Sequence, residues 1–190
     1  MTAVPTLRSA GHLLGRRVLQ LVDQGKVSLD DPIGTYVPGL PNGDTATLRT
    51  LANMTSGIPP YSFNEDFQKA YFSDPSSVFT PQQLVDYIKK TPASFPAGTK
   101  VQYSNTNTVL LGMVIEKVTG KSYEEVVESE LFAPLGMHDS RYGHQEEIVR
   151  GRVAGKTTDA DAHIDAMAKK YMGLDSYPYR NDADKRVIYR

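Results

Sequence analysis

The sequence predicts a mainly α chain that ends in a short strand–helix–strand tail. Apolar residues recur at helical spacing in two stretches, Leu13, Leu14, Val18, Leu21, Val22 and Leu110, Leu111, Val114, Ile115, Val118. Helix-start signatures lie between and after them: Thr80-Pro81-Gln82-Gln83, with a capping hydroxyl and a first-turn Pro, and Ser122 with Glu125. Hardly a strand-like run occurs before about Asp139, whereas Ile148-Val149, Val153 and Arg186-Val187-Ile188-Tyr189 are β-prone.

Taken in order, residues 1–10 form a Pro-containing lead without pattern. The first helix runs from Gly11 and is closed by Gly25, with His12, Arg16 and Arg17 flanking its stripe. Lys26 to Pro32 reads as an extended turn, followed by a loop to Pro41. Thr47 caps a short helix carrying Leu48, Leu51 and Ala52. Ile58-Pro59-Pro60-Tyr61 is loop, because its prolines have no N–H to donate. Asn64 starts an amphipathic piece with Phe67, Ala70 and Tyr71 on one side, and the helix opened by Thr80 buries Leu84, Val85 and Ile88. Pro92 to Lys100 is loop with a tight turn at Pro96-Ala97-Gly98. The helix through Val109–Val118 stops at Gly120, and the one opened by Ser122 runs through Val126, Val127 and Leu131. Glu147 to Val153 then reads as a strand. Asp159 opens a helix with Ile164, Met167, Ala168 and Tyr171 on one face, and Arg186 to Tyr189 is a final strand. This change of character places a boundary near Gly143, between a helical part (1–143) and a tail (144–190).

Composition bounds the function. Hydrophobic content of 39% and charged content of 23% suit a globular protein with a real core. A net charge of −1 offers no electrostatic argument for nucleic acid as a partner. Zero Cys excludes disulfides, thiolate metal sites and a cysteine nucleophile. No run approaches the roughly 20 apolar residues of a membrane span. Met1 to Gly11 lacks the apolar block of a signal peptide, so cytoplasmic is the default expectation.

One stretch carries chemistry. Tyr103-Ser104-Asn105 presents a phenol and a carboxamide two residues apart where a loop enters a helix. Such a pair suits a substrate pocket, the phenol moving a proton and the amide gripping a polar ligand group; it equally suits a helix cap beside a packed ring. Other constellations fail on spacing. Gly120-Lys121-Ser122 and Gly155-Lys156-Thr157 echo a phosphate loop, but Ile115 and Arg150 stand where its first Gly belongs. His138, Asp139 and His144 lack a specific ligand geometry for a metal, and Asp30 with Asp31 suits a turn better than an acid–base pair.

Several stretches together resemble the serine β-lactamase, DD-peptidase and esterase superfamily, on its class C side. Val18 to Pro32 is similar to the segment after that family's nucleophile. Met54-Thr55-Ser56-Gly57-Ile58-Pro59 looks like its His-Thr-Ser-Gly segment, with Met54 where His is common. Phe95-Pro96-Ala97-Gly98 followed by Tyr103-Ser104-Asn105 looks like its Tyr-x-Asn motif and approach, and Leu111-Gly112 to Tyr123 with Phe132 to Met137 continues the match to about Tyr142. The resemblance implies the helical region of the β-lactamase-like α/β fold and an acyl-enzyme mechanism on a small-molecule ester or amide, without a cofactor. It gives Tyr103 a proton-relay role and Asn105 a grip on the acyl side-chain amide.

The family's Ser-x-x-Lys motif has no match: its Ser position falls on Arg8 and its Lys position on Gly11. Ser9, paired with His12, is the nearest candidate nucleophile, one residue out of register. A Lys-Thr-Gly or His-x-Gly strand is also not found. Instead, Val149-Arg150-Gly151-Arg152-Val153, Asp161 to Gly173, Tyr177-Pro178-Tyr179-Arg180 and Arg186 to Arg190 resemble the C-terminal portion of the pyridoxamine-phosphate-oxidase-like split barrels. That likeness implies the alternative of a flavin- or deazaflavin-binding oxidoreductase fragment, or a non-catalytic interaction protein, with Lys169, Lys170 or Arg180 available to an anion. The expectation is a chimeric, truncated hydrolase relative that self-associates as a homodimer through exposed apolar faces.

Overall fold

The structure is a computed structural model; it describes residues 7–73 and 77–137, with side chains from residue 14 onward. Helix α1 is Leu7–Asp23, α2 is Leu48–Ala52, α3 is Glu65–Ser73, α4 is Pro81–Asp86, α5 is Asn105–Thr119 and α6 is Tyr123–Val127. The described residues fall into two units: residues up to Asn64 together with those from Phe79 onward, and residues 65–73 with 77–78.

Helix α1 places Leu14, Val18 and Leu21 in the core, as the stripe predicts. It begins four residues before Gly11, inside the lead read as patternless. A glycine costs a helix about 1 kcal/mol without ending it once other residues hold it. Helix α5 is the axis of the first unit and packs against α1, α2, α4 and α6. Its buried row, Leu110, Leu111, Val114 and Ile115, meets Val18, Leu21, Leu48, Leu51, Val85 and Ile88 in one core. Truncating Leu110 or Leu51 there removes contacts worth about 2–5 kcal/mol.

Thr47 caps α2 through a reciprocal pair with Thr50, the Thr47 N–H donating to Thr50 Oγ1 at 2.8 Å. The box has Thr where Gln or Glu is usual, so sequence showed only half of it. The extended turn docks on this helix start: Leu48 N donates to Asp31 O (3.2 Å) and Arg49 N to Leu29 O (2.9 Å). One isolated bridge, Pro32 with Thr47, is the only β-pairing among the described residues, and the mainly α class holds for them. Thr80 caps α4 with Gln83 as expected, and Val85 and Ile88 are buried while Leu84 is half-buried. After α6 the chain winds into a wider π-helical turn, Glu128–Phe132, which buries Leu131 and Phe132. Buried Arg17 of α1 reaches that turn and pairs with Glu130 at 2.5 Å, which Lys121 also contacts.

In the second unit, α3 buries Phe67 and Phe72, with Tyr71 stacked on Phe67 at 5.8 Å. Tyr71 is half-buried, so the side chains fully buried are not the face Phe67–Ala70–Tyr71 alone. The tail 144–190, its strand–helix–strand reading and the boundary near Gly143 lie outside the described residues. No helix among the described residues is long and apolar enough to cross a membrane.

The Ser122 cap gives a pH test. Ser122 N donates to Glu125 Oε2 at 2.8 Å, and Glu125 N donates to Ser122 Oγ at 3.2 Å. The Ser122 backbone N–H and then its hydroxyl hold the Glu125 carboxyl below its ordinary value of 4.5. A lowered acid contributes stability above its unfolded-state value and loses it as pH falls through the folded value. Denaturation profiles of Glu125→Gln and the parent chain are therefore expected to differ near neutrality and to converge as pH falls through the carboxyl's lowered folded-state value, below 4.5. Parallel profiles at all pH values would contradict the assignment.

Candidate active site

Tyr103 reaches its place through the turn Phe95–Gly98. There Gly98 adopts φ +82°, and Thr99 closes the turn with its N–H and hydroxyl on Pro96 O, at 3.2 and 2.7 Å. The chain then runs extended to Ser104, whose φ of −141° makes it the cap of α5. Tyr103 is 65% exposed, so its phenol stands in solvent and is not a packed ring. Ser104 does not cap α5 with its side chain; it is buried, and neither its Oγ nor the enclosed Oδ1 of Asn105 has a partner among the described residues. An enclosed acceptor left unpaired costs about 1–3 kcal/mol.

Three sequence segments meet here. Met54 and Gly57 both lie in the left-handed region, at φ +63° and +68°, folding Met54–Pro60 back on itself. Gln102 N donates to Met54 O at 2.9 Å, Gly98 N to Thr55 O at 2.8 Å and Ser94 N to Gly57 O at 2.9 Å. The Met54–Gly57 turn is thus laid along the approach to Tyr103. Asn42, at φ +58°, pins both segments of this crossing, with Nδ2 donating to Ser56 O at 2.9 Å and Phe95 O at 2.8 Å. Thr106 accepts from Tyr61 N at 2.9 Å and donates to Pro59 O at 2.8 Å. Asn107 joins Ser56, Leu51 and Met54 at the base of the site.

Of the residues singled out in sequence, Tyr103 and Asn105 therefore share one rigidly tied segment. Ser9 belongs to the first turns of α1 by its backbone, while its side chain and that of His12 lie outside the described residues. His144, Lys169, Lys170 and Arg180 lie outside them altogether. No group of His, Asp and Glu able to hold a metal occurs among the described residues. Sequence reading missed Asn42, Thr106 and Asn107. For Asn107 a signal existed: it heads the same row as Leu110, Leu111 and Val114, where a polar residue must find buried partners. For Asn42 the signal was the Asn-Gly dipeptide at 42–43, which tolerates left-handed backbone.

The β-lactamase family model matches residues 15–178. A D-alanyl-D-alanine-carboxypeptidase/endopeptidase AmpH of Escherichia coli is 32% identical over 197 residues, covering 91% of this chain and 50% of that protein. Among solved structures, a D-stereospecific amidohydrolase from a Streptomyces species is 37% identical with a TM-score of 0.63, over 67% of this chain and 40% of the other. A D-amino acid amidase from Ochrobactrum anthropi is 32% identical with a TM-score of 0.61, over 70% of this chain and 37% of the other. The chain spans about 30% of the length of the curated relatives matched first. The family match crosses Gly143 and runs over most of the segment likened to split barrels. Nothing in it or in these relatives supports a split-barrel tail, a chimeric origin or a flavin site. A matched region of 164 residues (15–178), carrying the tied Met54–Gly57 and Tyr103–Asn105 segments, makes this chain a member of the β-lactamase family, related to penicillin-binding proteins, DD-carboxypeptidases and class C β-lactamases.

Proposed function

We propose that this chain carries the acyl-recognising wall of a serine acyl-transfer site and serves hydrolysis of small amides or esters of D-amino acids. The observation that carries the reading is the exposed Tyr103 phenol beside Asn105, on a segment tied at both ends to the Met54–Gly57 turn. The amidohydrolase and amidase at 37% and 32% identity support the substrate class.

In this reading a serine hydroxyl attacks the substrate carbonyl and forms an ester, expelling the amine or alcohol. Tyr103 Oη passes the proton between the serine and the leaving group, and water then releases the acid. Asn105 holds the polar group of the acyl side chain. Ser9 is the candidate nucleophile, without a lysine at the family position, which Gly11 occupies.

Incubation with p-nitrophenyl acetate, D-phenylalanine p-nitroanilide and a chromogenic cephalosporin tests it. The expected result is release of chromophore with an acyl mass added to the peptide containing Ser9, lost in Ser9→Ala. Asn105→Ala is expected to slow the anilide about tenfold more than the acetate, the worth of one hydrogen bond to ligand. No release and no adduct with any of the three probes would sink the reading.

A further inference from the structure

One residue joins the Met54–Gly57 turn to both flanks of the Tyr103–Asn105 segment. On one side the Met54 carbonyl accepts from Gln102 N at 2.9 Å. On the other, Met54 Sδ receives Asn107 Nδ2 at 3.4 Å, within reach for a sulfur acceptor. Residues 102 and 107 bracket the Tyr-x-Asn between them, so the two bonds close a ring through Met54. Asn107 is wholly buried, and the rest of its amide is also engaged. Its Nδ2 donates to Leu51 O at 3.2 Å, the last turn of α2, and its Oδ1 accepts the Ser56 hydroxyl at 2.8 Å. Ser56 Oγ in turn accepts from Ile58 N at 3.1 Å. A buried amide with donor and acceptor sides both committed has one rotamer, and groups bonded to it share that fixity.

We propose that Asn107 is a positioning residue of the acyl site: by holding Met54 and Ser56 it sets where Tyr103 and Asn105 stand relative to the Met54–Gly57 turn. The proposal rests on the acyl-transfer reading above. Asn107 has no exposed surface and touches no substrate; it acts through the ring of bonds. Displacement of a catalytic group by about 1 Å lowers rates by about 10²-fold, so a loosened ring is read most sharply in turnover.

The test uses the full chain with Asn107→Ala and, in case that buried change prevents folding, Ser56→Ala, which deletes a single hydroxyl. Steady-state turnover of p-nitrophenyl acetate and D-phenylalanine p-nitroanilide is measured per folded molecule, alongside amide hydrogen exchange. The expected result is a fall in kcat of about 10- to 100-fold with KM nearly unchanged, and faster exchange at Gln102 while amides of α1 and α6 keep their protection. A kcat that stays at the parent value per folded molecule, or a change confined to KM, overturns the proposal. If the parent chain gives neither turnover nor adduct with these two probes and the chromogenic cephalosporin, the acyl-transfer reading fails on its own. Exchange then decides the positioning role: faster exchange confined to Gln102 and its neighbours upholds the ring, and unchanged protection there removes it.

Discussion

Tyr103→Phe is expected to slow chromogenic ester turnover by about 10²–10⁴-fold, the usual worth of a positioned acid–base group. The fold is expected to be untouched. The ring is 65% exposed and the substitution removes one oxygen, so the unfolding free energy should stay within about 0.5 kcal/mol of the parent. The two numbers together make the experiment decisive. Loss of turnover at constant stability identifies a group that acts on substrate; equal loss of both would make Tyr103 a structural residue. Constant turnover would remove the proton-relay role altogether. Adduct kinetics sharpen the result, because a relay that serves both bond formation and ester hydrolysis slows the appearance and the loss of the acyl-enzyme alike.

Gly57→Ala is expected to have the opposite profile, a large loss of stability and, through it, of the site. A Cβ at Gly57 would lie 2.0 Å from Phe95 O and 2.7 Å from Asn42 Nδ2, and the φ of +68° is unfavourable for any other residue. The backbone conformation alone costs about 1–2 kcal/mol for alanine. The overlap with a backbone carbonyl cannot be relieved by turning a side chain. Relief requires breaking the Ser94–Gly57 and Asn42–Phe95 bonds, for a total of about 3 kcal/mol or more. Chemical denaturation measures the loss, and a shift below about 1 kcal/mol would show that the crossing of the two segments is looser than the distances state.

How much of this was legible in the sequence follows from the range over which each feature is determined. The buried stripes of α1 and α5, the Thr80–Gln83 and Ser122–Glu125 boxes and the stop at Gly120 are set by residues three or four apart, and each is found where the pattern puts it. The early start of α1 and the π turn at Glu128–Phe132 were not legible, because α1 runs through a glycine that local propensity reads as a boundary, and the turn widens where Leu131 and Phe132 are buried. The resemblance singled out Tyr103 and Asn105, and it places Arg8 and Gly11 at the positions where it implies a serine and a lysine.

The sequence by itself determined the helices, their caps and the phenol–amide pair at the head of α5, since these depend on neighbours within one turn. Only the tertiary structure decided that Tyr103 faces solvent instead of packing, that Gly57 must be glycine, and that Asn42 and Asn107 bind the site together. Ser56 and Asn107 are 51 residues apart and Asn42 and Phe95 are 53 apart. Bonds across such separations exist only once α2 and α5 have packed, because the core they enclose is what brings the partners within reach and keeps water from competing for them.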